Sequence, residues 1–352
     1  MSKLIKIPGI IDTHVHLRDP GATHKEDFYT GTCAALAGGV TAIIDMPNNP
    51  TPTVSLKAIT RKKKICAKKS VCDYGLHFGA DNKNWLVHPK AAKKTFGIKI
   101  FMDQTTGPLL VTDLRILENH FQYWPKTKPI MVHAEDATLA KAIGLAMTYD
   151  KWLHVCHLNK ETELELVAKA KKKGACITVE TCSHYLYLTD KEDKLLWPFS
   201  KMRPPLATKK DVQALWKGIE LGLIDTIATD HAPHTIQEKK SSEAPCGVPG
   251  LETSLSLMLN AVNQRKLSLK KLINLMSVNP GKLFNIKQKN SWVEVNINKS
   301  WKVDNKKLFT KCGWSLFDGW KLKGKVVKVF IRGKKVFEDG EVLVKKGFGK
   351  EL

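Results

Sequence analysis

The feature that most constrains this chain is a regular alternation of short β-like runs with segments of helical spacing. Eight β-like runs follow one another, and helical patterns lie between several of them. Eight βα units in roughly 280 residues predict an α/β fold, a TIM (β/α)8 barrel, whose usual size is about 250 residues. The predicted strands cover residues 10–16, 40–46, 74–79, 97–102, 129–133, 152–157, 175–181 and 225–230.

Two of the helical segments carry start and stop signals. Segment 23–39 opens with a capping-box pair, Thr23 and Glu26, and closes on two glycines. Segment 159–174 opens with the cap-like residue Asn159 and ends on a glycine.

The pattern changes after about residue 283. The segments "WVEVNI", "KVVKVFIRG" and "KKVFEDGEVLV" alternate in the manner of β-strands, with "EDGE" as a turn. We therefore predict a barrel over residues 8–285 and a small C-terminal β appendage over residues 286–352.

The composition narrows the function classes. The apolar runs are too short for a bilayer span, the N-terminus lacks a secretory pattern, and the eight cysteines have no paired spacing, so we expect a cytoplasmic protein with free thiols. The formal charge is +23, but the basic residues spread along the whole chain and only six of 57 are arginine. This pattern favours a lysine-rich solvated surface and gives little support to nucleic-acid binding.

The ends of the predicted strands carry metal-binding residue types. The first strand ends in "HVH", and His14 and His16 share one face because alternate strand residues point the same way. Later strand ends add His133, His157 and Asp230. Functional groups of a TIM barrel lie at the C-terminal ends of its strands, so these side chains should meet at one rim. Imidazole and carboxylate together suit zinc or a related divalent ion.

Two cations lie close to these residues. Lys99 sits inside the apolar run "GIKIFM", where an ammonium is costly unless it is paired. A lysine carboxylated by carbon dioxide could bridge two metals; the alternative is that Lys99 snorkels or pairs with an acid. Arg18 is one of the few arginines and marks a site that needs a planar bidentate fork. The other histidines are interpreted as structural, among them His24, His77, His88 and His120.

Seven segments together resemble the dihydroorotases of the amidohydrolase superfamily. In chain order they read "GIIDTHVHLRDPG", "DMPNN", "GIKIFM", "VHAED", "HVCHL", "ATDHAPHT" and "GVPGLET". The resemblance runs from Pro8 to about Leu283 and into the β tail. The HVHLR, DHAPH and CHL segments are most similar to the class I enzymes and to the dihydroorotase domain of the multifunctional animal pyrimidine protein. The resemblance implies a zinc-dependent hydrolase that reversibly cyclises N-carbamoyl-L-aspartate to dihydroorotate in de novo pyrimidine biosynthesis.

The resemblance also implies a set of site residues. Two zinc ions would be bridged by carboxylated Lys99 and a hydroxide, one bound by His14, His16 and Asp230 and the other by His133 and His157. Asp230 would in addition move the proton. The residues that match the family's substrate contacts are Arg18, Asn48, Arg203, His234, Thr105 in a mobile loop, and Cys246, where the family contact is largely through backbone.

Further expectations follow from the animal domain, which binds a third zinc through a cysteine and a glutamate. Cys156 and Glu180 match those positions. Cys156 neighbours His157, and adjacent strand residues face opposite ways, so only a bulge or an irregular strand end would bring both to metal. The resemblance also implies a homodimer and an association with aspartate carbamoyltransferase. Relatives with a longer N-terminus build half of the appendage from it, so the appendage should be reduced here.

Several alternatives remain. A hydantoinase or allantoinase would share the metal site, but it would not need Arg18 and Asn48 for a carboxylate. An inactive homologue that scaffolds an aspartate carbamoyltransferase should have lost ligands, and none of the six is missing. A third alternative, a polyanion-binding module, is supported only by the positive net charge of the chain.

Overall fold

A barrel of parallel strands forms the body of the protein in the computed structural model, which describes residues 4–352. The strands are β1 (Leu4–Pro8), β2 (Ile10–Val15), β3 (Val40–Asp45), β4 (Asp73–Leu76), β5 (Phe78–Gly79), β6 (Ile98–Phe101), β7 (Ile130–His133), β8 (Leu153–Val155), β9 (Ile177–Cys182), β10 (Thr226–Ala228), β11 (Trp292–Lys302), β12 (Lys321–Ile331), β13 (Lys334–Glu338) and β14 (Glu341–Val342).

Helices lie between the barrel strands and after the last of them. They are α1 (Phe28–Ala37), α2 (Leu56–Lys69), α3 (His88–Ala92), α4 (Leu114–Tyr123), α5 (Asp136–Thr148), α6 (Glu161–Lys172), α7 (Asp190–Leu196), α8 (Lys209–Leu221), α9 (Ile236–Lys239), α10 (Ser254–Asn263), α11 (Leu269–Ile273) and α12 (Asn279–Leu283). No helix in the described part of the chain is long and apolar enough to cross a membrane.

The parallel strands confirm the predicted TIM barrel. Strands β2, β3 and β4 pair in that order, and β5 to β10 pair in sequence order. The predicted third strand is divided at His77, because β4 pairs with β3 whereas β5 pairs with β6. The barrel closes where the His16 N–H donates to the His231 carbonyl at 2.8 Å. Beside it, the Asp12 carboxylate of β2 accepts the Thr229 hydroxyl at 2.6 Å.

Helix α1 begins later than predicted. Its N-cap is Asp27, whose carboxylate accepts the N–H groups of Tyr29 and Thr30. The predicted capping box of Thr23 and Glu26 is therefore wrong. Glu26 is fully buried and accepts a hydrogen bond from the distant Thr310 hydroxyl instead.

Helix α6 also has a different start. Its N-cap position is occupied by Lys160, without a side-chain cap. The side chain of Asn159 donates to the Pro205 carbonyl at 2.7 Å, so Asn159 joins two loops and does not cap the helix.

The appendage is a five-stranded antiparallel sheet in the order β1-β11-β12-β13-β14. Four strands come from the predicted C-terminal segment, and the fifth, β1, pairs with β11 from Leu4 opposite Asn296 to Pro8 opposite Trp292. The last residues of the chain return to the barrel, where the Leu352 N–H donates to the Tyr74 carbonyl at 3.0 Å.

Apolar side chains fill the barrel interior below the rim. One buried cluster joins Ile11, Ala42, Ile44, Met131 and Phe284 from β2, β3, β7 and the end of the barrel segment. This packed layer fills the barrel, and the polar strand ends line a cleft at its C-terminal rim.

Candidate active site

The strand ends bring the predicted metal-binding side chains together. His14 lies on β2, and the His14 Nε2 atom is 3.3 Å from Asp230 Oδ1. The His16 Nε2 atom is 3.0 Å from the same oxygen. The last residue of β7, His133, places its Nδ1 atom 2.9 Å from Nε2 of His157. These histidines and the aspartate line one cleft at the rim of the barrel.

The backbone leaves regular strand geometry at three predicted site residues. The φ angles are +61° at Arg18, +38° at His157 and +46° at Asp230. Non-glycine residues rarely adopt such angles, and the cost of order 1 kcal/mol is tolerated where surrounding structure holds the residue for function. Because β8 ends at Val155, the turn at His157 removes the strict alternation that would have kept Cys156 away from the site.

The residues at the rim have the chemistry of a divalent-metal site. His133 Nε2, His157 Nδ1 and Lys99 Nζ are buried and find no hydrogen-bond partner within residues 4–352. Burial lowers the pKa of His16 to about 4 and that of His133 to about 3, so both imidazoles are neutral, which is the form that binds metal. Burial would raise the pKa of Asp230, but the neighbouring His14 and His16 hold it below its usual range.

Lys99 is completely buried in β6. Its Nζ atom is 5.3 Å from the centre of the Phe101 ring, and no acidic side chain pairs with it in the described part of the chain. The interpretation that Lys99 snorkels to solvent or pairs with an acid therefore does not describe its surroundings. A lysine side chain that is buried without an acidic partner is energetically costly.

Cys156 and Glu180 lie on the other side of His14. The Glu180 Oε1 atom is 2.7 Å from His14 Nδ1, and donor atoms of His14, Cys156 and Glu180 all lie within 4.8 Å of one another. Burial alone would lower the pKa of His14, but the Glu180 and Asp230 carboxylates raise it to about 10. Metal binding at His14 would therefore displace a proton.

The predicted substrate-binding residues line the open part of the cleft, with one exception. Arg18, Asn48, Thr105, Arg203 and Cys246 are lining residues. Arg18 anchors its guanidinium by donating from Nε to the Pro233 carbonyl at 3.0 Å. His234 has no exposed surface and does not line the cleft; its Nε2 atom lies 3.1 Å from Arg18 Nη2, behind the guanidinium.

The loop that carries Thr105 reaches both sides of the cleft. Asn48 Nδ2 donates to the Thr106 carbonyl at 2.9 Å, and the Thr106 hydroxyl donates to the Cys246 carbonyl at 2.9 Å. The Asn48 Oδ1 atom is 2.7 Å from His16 Nδ1, so this amide also orients a predicted metal ligand.

Among the lining residues that are absent from the sequence prediction, two have polar side chains, Thr106 and His184. His184 lies in a 3₁₀ turn directly after β9, and its Nε2 atom is buried without a partner in residues 4–352. Burial lowers the pKa of His184 to about 4. The sequence contains a signal for His184, because the segment "CSHY" directly follows the seventh predicted strand and the functional residues of a TIM barrel lie at the C-terminal ends of its strands.

The remaining predicted structural histidines lie outside this cleft. His88 and His120 stack with ring centres 5.0 Å apart, His77 Nε2 is 3.0 Å from the Thr13 carbonyl, and His24 pairs with Glu238. All eight cysteines are free.

The barrel and its rim of histidine and carboxylate donors have the architecture of a metal-dependent hydrolase. The chain belongs to the amidohydrolase family, whose model matches residues 5–336.

Individual relatives are similar over the whole chain. The multifunctional protein pyr1-3 of Dictyostelium discoideum is 42% identical over 354 residues, which are 100% of this chain and 16% of that protein. The dihydroorotase of Pyrococcus abyssi is 36% identical over 366 residues, covering 97% of this chain and 85% of that enzyme. The chain thus spans about one sixth of the length of the multifunctional relatives that it matches. Among solved structures, the L-hydantoinase of Arthrobacter aurescens superposes with a TM-score of 0.94 at 27% identity and covers 99% of this chain and 88% of that chain.

Proposed function

We propose that this chain is a dihydroorotase that interconverts N-carbamoyl-L-aspartate and dihydroorotate. The observation that carries the proposal is a buried guanidinium, Arg18, on the wall of a cleft whose floor holds the metal-binding residue types. Dihydroorotate is a cyclic amide that also carries a carboxylate. An enzyme that acts on it therefore needs both a hydrolytic centre and a guanidinium fork that binds the carboxylate. The similarity to the dihydroorotase of Pyrococcus abyssi supports this substrate.

In this proposal, the cleft binds two zinc ions. Their ligands are His14, His16, Lys99 in its carboxylated form, His133, His157 and Asp230. When bound, zinc supplies a hydroxide near neutral pH and polarises the amide carbonyl. The support from the structure is the set of buried, unpartnered atoms on Lys99, His133 and His157. A third zinc at His14, Cys156 and Glu180 is supported by the proximity of their donor atoms.

Asp230 is the group that we assign to proton transfer. Its carboxylate is held in the ionised form, so it can accept a proton from the attacking nucleophile and deliver it to the leaving ring nitrogen. In the cyclisation direction the same two transfers run in reverse. The Nε2 atoms of His14 and His16 lie 3.3 Å and 3.0 Å from Asp230 Oδ1, so the three side chains are close enough to share one zinc ion in this proposal.

The substrate carboxylate is assigned to Arg18, with Asn48 and Arg203 as further contacts. Arg18 Nε is already committed to the Pro233 carbonyl, which fixes the plane of the guanidinium at the wall of the cleft. The loop at Thr105 and Thr106 covers the substrate, and its hydrogen bonds to both walls of the cleft would exclude water during the reaction.

A hydantoinase is the second candidate, because the L-hydantoinase of Arthrobacter aurescens has nearly the same backbone. Purified zinc-loaded protein, offered dihydroorotate, carbamoyl aspartate, hydantoin and dihydrouracil, distinguishes the two. Turnover of dihydroorotate and carbamoyl aspartate is expected. Hydrolysis restricted to the neutral cyclic amides would favour the hydantoinase, and no turnover of any substrate by metal-loaded protein would favour an inactive scaffold.

We also propose that the chain works in the cytoplasm as a homodimer associated with an aspartate carbamoyltransferase. Free thiols suit a reducing compartment, and the similarity to multifunctional relatives supports the association. The proposed boundary between barrel and appendage stays at residues 285 and 286, with β1 added to the appendage sheet. Sedimentation of the chain alone and with the carbamoyltransferase tests both assemblies.

A further inference from the structure

We propose that Lys239 is a positioning residue: its buried ammonium holds the loop of Arg203 against the loop of Cys246, so that Arg203 is aimed at a ligand in the cleft. This inference rests on the proposed function in so far as the ligand of Arg203 is the carboxylate of dihydroorotate. The attachment of the two loops to each other can be measured without any turnover.

The Lys239 side chain ends among three backbone carbonyls. Lys239 is the last residue of α9 and is fully buried. Its Nζ atom donates to the carbonyls of Lys201 at 2.8 Å, Pro245 at 3.0 Å and Gly247 at 3.3 Å. An ammonium has three N–H donors, so the number of acceptors matches the number of donors. Burial lowers the pKa of Lys239 to about 8, which leaves the side chain cationic at neutral pH.

These carbonyls belong to two loops that both line the cleft. Arg203 follows Lys201 by two residues and is a lining residue, as are Cys246 and Gly247 of the second loop. The loops also touch directly, because the Gly247 N–H donates to the Lys201 carbonyl at 3.0 Å. Lys239 therefore reinforces a junction that otherwise consists of a single backbone hydrogen bond between the two loops.

The second loop is fixed to the barrel rim. The Ala232 N–H donates to the Val248 carbonyl at 2.8 Å. Gly247 has a φ of +138°, and a Cβ atom there would lie 2.5 Å from the Ala232 carbonyl oxygen, so this close approach requires glycine. Because residues 245–248 are held on the rim, the ammonium can pass that fixed position on to Lys201.

Arg203 is the residue that depends on this junction. Its side chain lines the cleft but is exposed, so the place of its guanidinium is determined largely by where its backbone lies. Without the ammonium, the loop at Lys201 would be joined to residues 245–248 by the Gly247 hydrogen bond alone. The guanidinium would then spend less time in reach of a substrate carboxylate, which weakens a charge-assisted contact.

The first test measures the junction itself. It compares Lys239→Met, which removes all three donors, with the control Lys240→Met, the same exchange at the next residue, which is exposed. Amide hydrogen exchange of the metal-loaded proteins is followed over residues 245–248 and over β7. In Lys239→Met, exchange over residues 245–248 should become at least about tenfold faster while β7 exchanges as in wild type. Lys240→Met should match wild type in both segments.

Two results of the exchange experiment would overturn the inference. Unchanged exchange over residues 245–248 in Lys239→Met would show that the ammonium does not hold the loops together. An equal acceleration in β7 would show that Lys239 stabilises the whole fold and has no particular effect on this junction.

The second test asks whether Lys239 acts through Arg203. The KM for dihydroorotate is measured in wild type, Lys239→Met, Arg203→Met and the double variant. Lys239→Met should raise KM about tenfold in the wild-type background, with kcat and zinc content retained. In the Arg203→Met background the same substitution should raise KM less than about twofold, because the contact is already gone. The same factor in both backgrounds would overturn the inference.

Failure of wild type to act on dihydroorotate has a different meaning. It would overturn the proposed substrate, while the exchange over residues 245–248 would still decide whether Lys239 holds the two loops.

Discussion

Replacing Arg18 with lysine isolates what the guanidinium fork contributes beyond its charge. Arg18 is 6% exposed and uses Nε to hold the Pro233 carbonyl at 3.0 Å. Burial lowers its pKa to about 10, which still leaves it cationic at neutral pH. A lysine has one ammonium at the end of a flexible stem, so it cannot hold Pro233 and also offer two parallel N–H groups to a carboxylate.

The size of the effect follows from one lost contact. A hydrogen bond to a charged group contributes about 1.5–3 kcal/mol. At about 1.4 kcal/mol per decade, its loss lowers kcat/KM for dihydroorotate by roughly 10- to 150-fold. Dihydrouracil has no carboxylate, so its kcat/KM should not change. The zinc content should also be unchanged, because Arg18 is not among the proposed ligands.

The assay measures both substrates and bound zinc for wild type and Arg18→Lys. The matched control is Arg115→Lys, the same exchange at an exposed position on α4. An equal fall in kcat/KM for both substrates, or a loss of bound zinc, would show that Arg18 supports the architecture of the site and does not bind the substrate carboxylate.

Three further substitutions test other parts of the account. Asp230→Asn can still bind metal weakly but cannot carry a proton, so turnover should fall at least about 100-fold; near-normal turnover with zinc retained would remove Asp230 from proton transfer. Cys156→Ser should lower bound zinc from about three to about two per chain with partial activity, and an unchanged zinc content would leave Cys156 as a structural residue. Lys62→Met should lower the free energy of unfolding by about 3–5 kcal/mol, because it leaves the buried carboxylate of Asp45 unpaired. Denaturant unfolding measures this loss, and the double variant with Asp45→Asn should recover part of it; an unaltered stability of Lys62→Met would refute the ion pair's importance.

The barrel and the residues at its rim can be predicted from the sequence, because both depend on local sequence patterns. Strands alternate with helices, and the last residues of each strand must face the same rim. His133 and Asp230 both follow apolar strand segments, and both line the cleft. The positions of such residues depend mainly on where a strand ends, and a buried apolar run marks that point clearly.

The errors arose where a distant part of the chain decides the local structure. Glu26 has the spacing of a capping residue, but it accepts a hydrogen bond from Thr310, 284 positions away in sequence. Strand β1 pairs with β11 across a similar separation. The substrate contact expected of His234 stays a prediction, and the structure adds that its Nε2 atom lies 3.1 Å from Arg18 Nη2. His184 was missed because it follows its strand in a 3₁₀ turn and not at the strand's last residue.

The most direct test of the central claim measures zinc and turnover on the same sample. The protein should bind at least about two zinc ions per chain and should cyclise carbamoyl aspartate and open dihydroorotate. Chelation should abolish both reactions, and added zinc should restore them. Protein that is replete with zinc and hydrolyses hydantoin or dihydrouracil, but leaves dihydroorotate unchanged, would contradict the account.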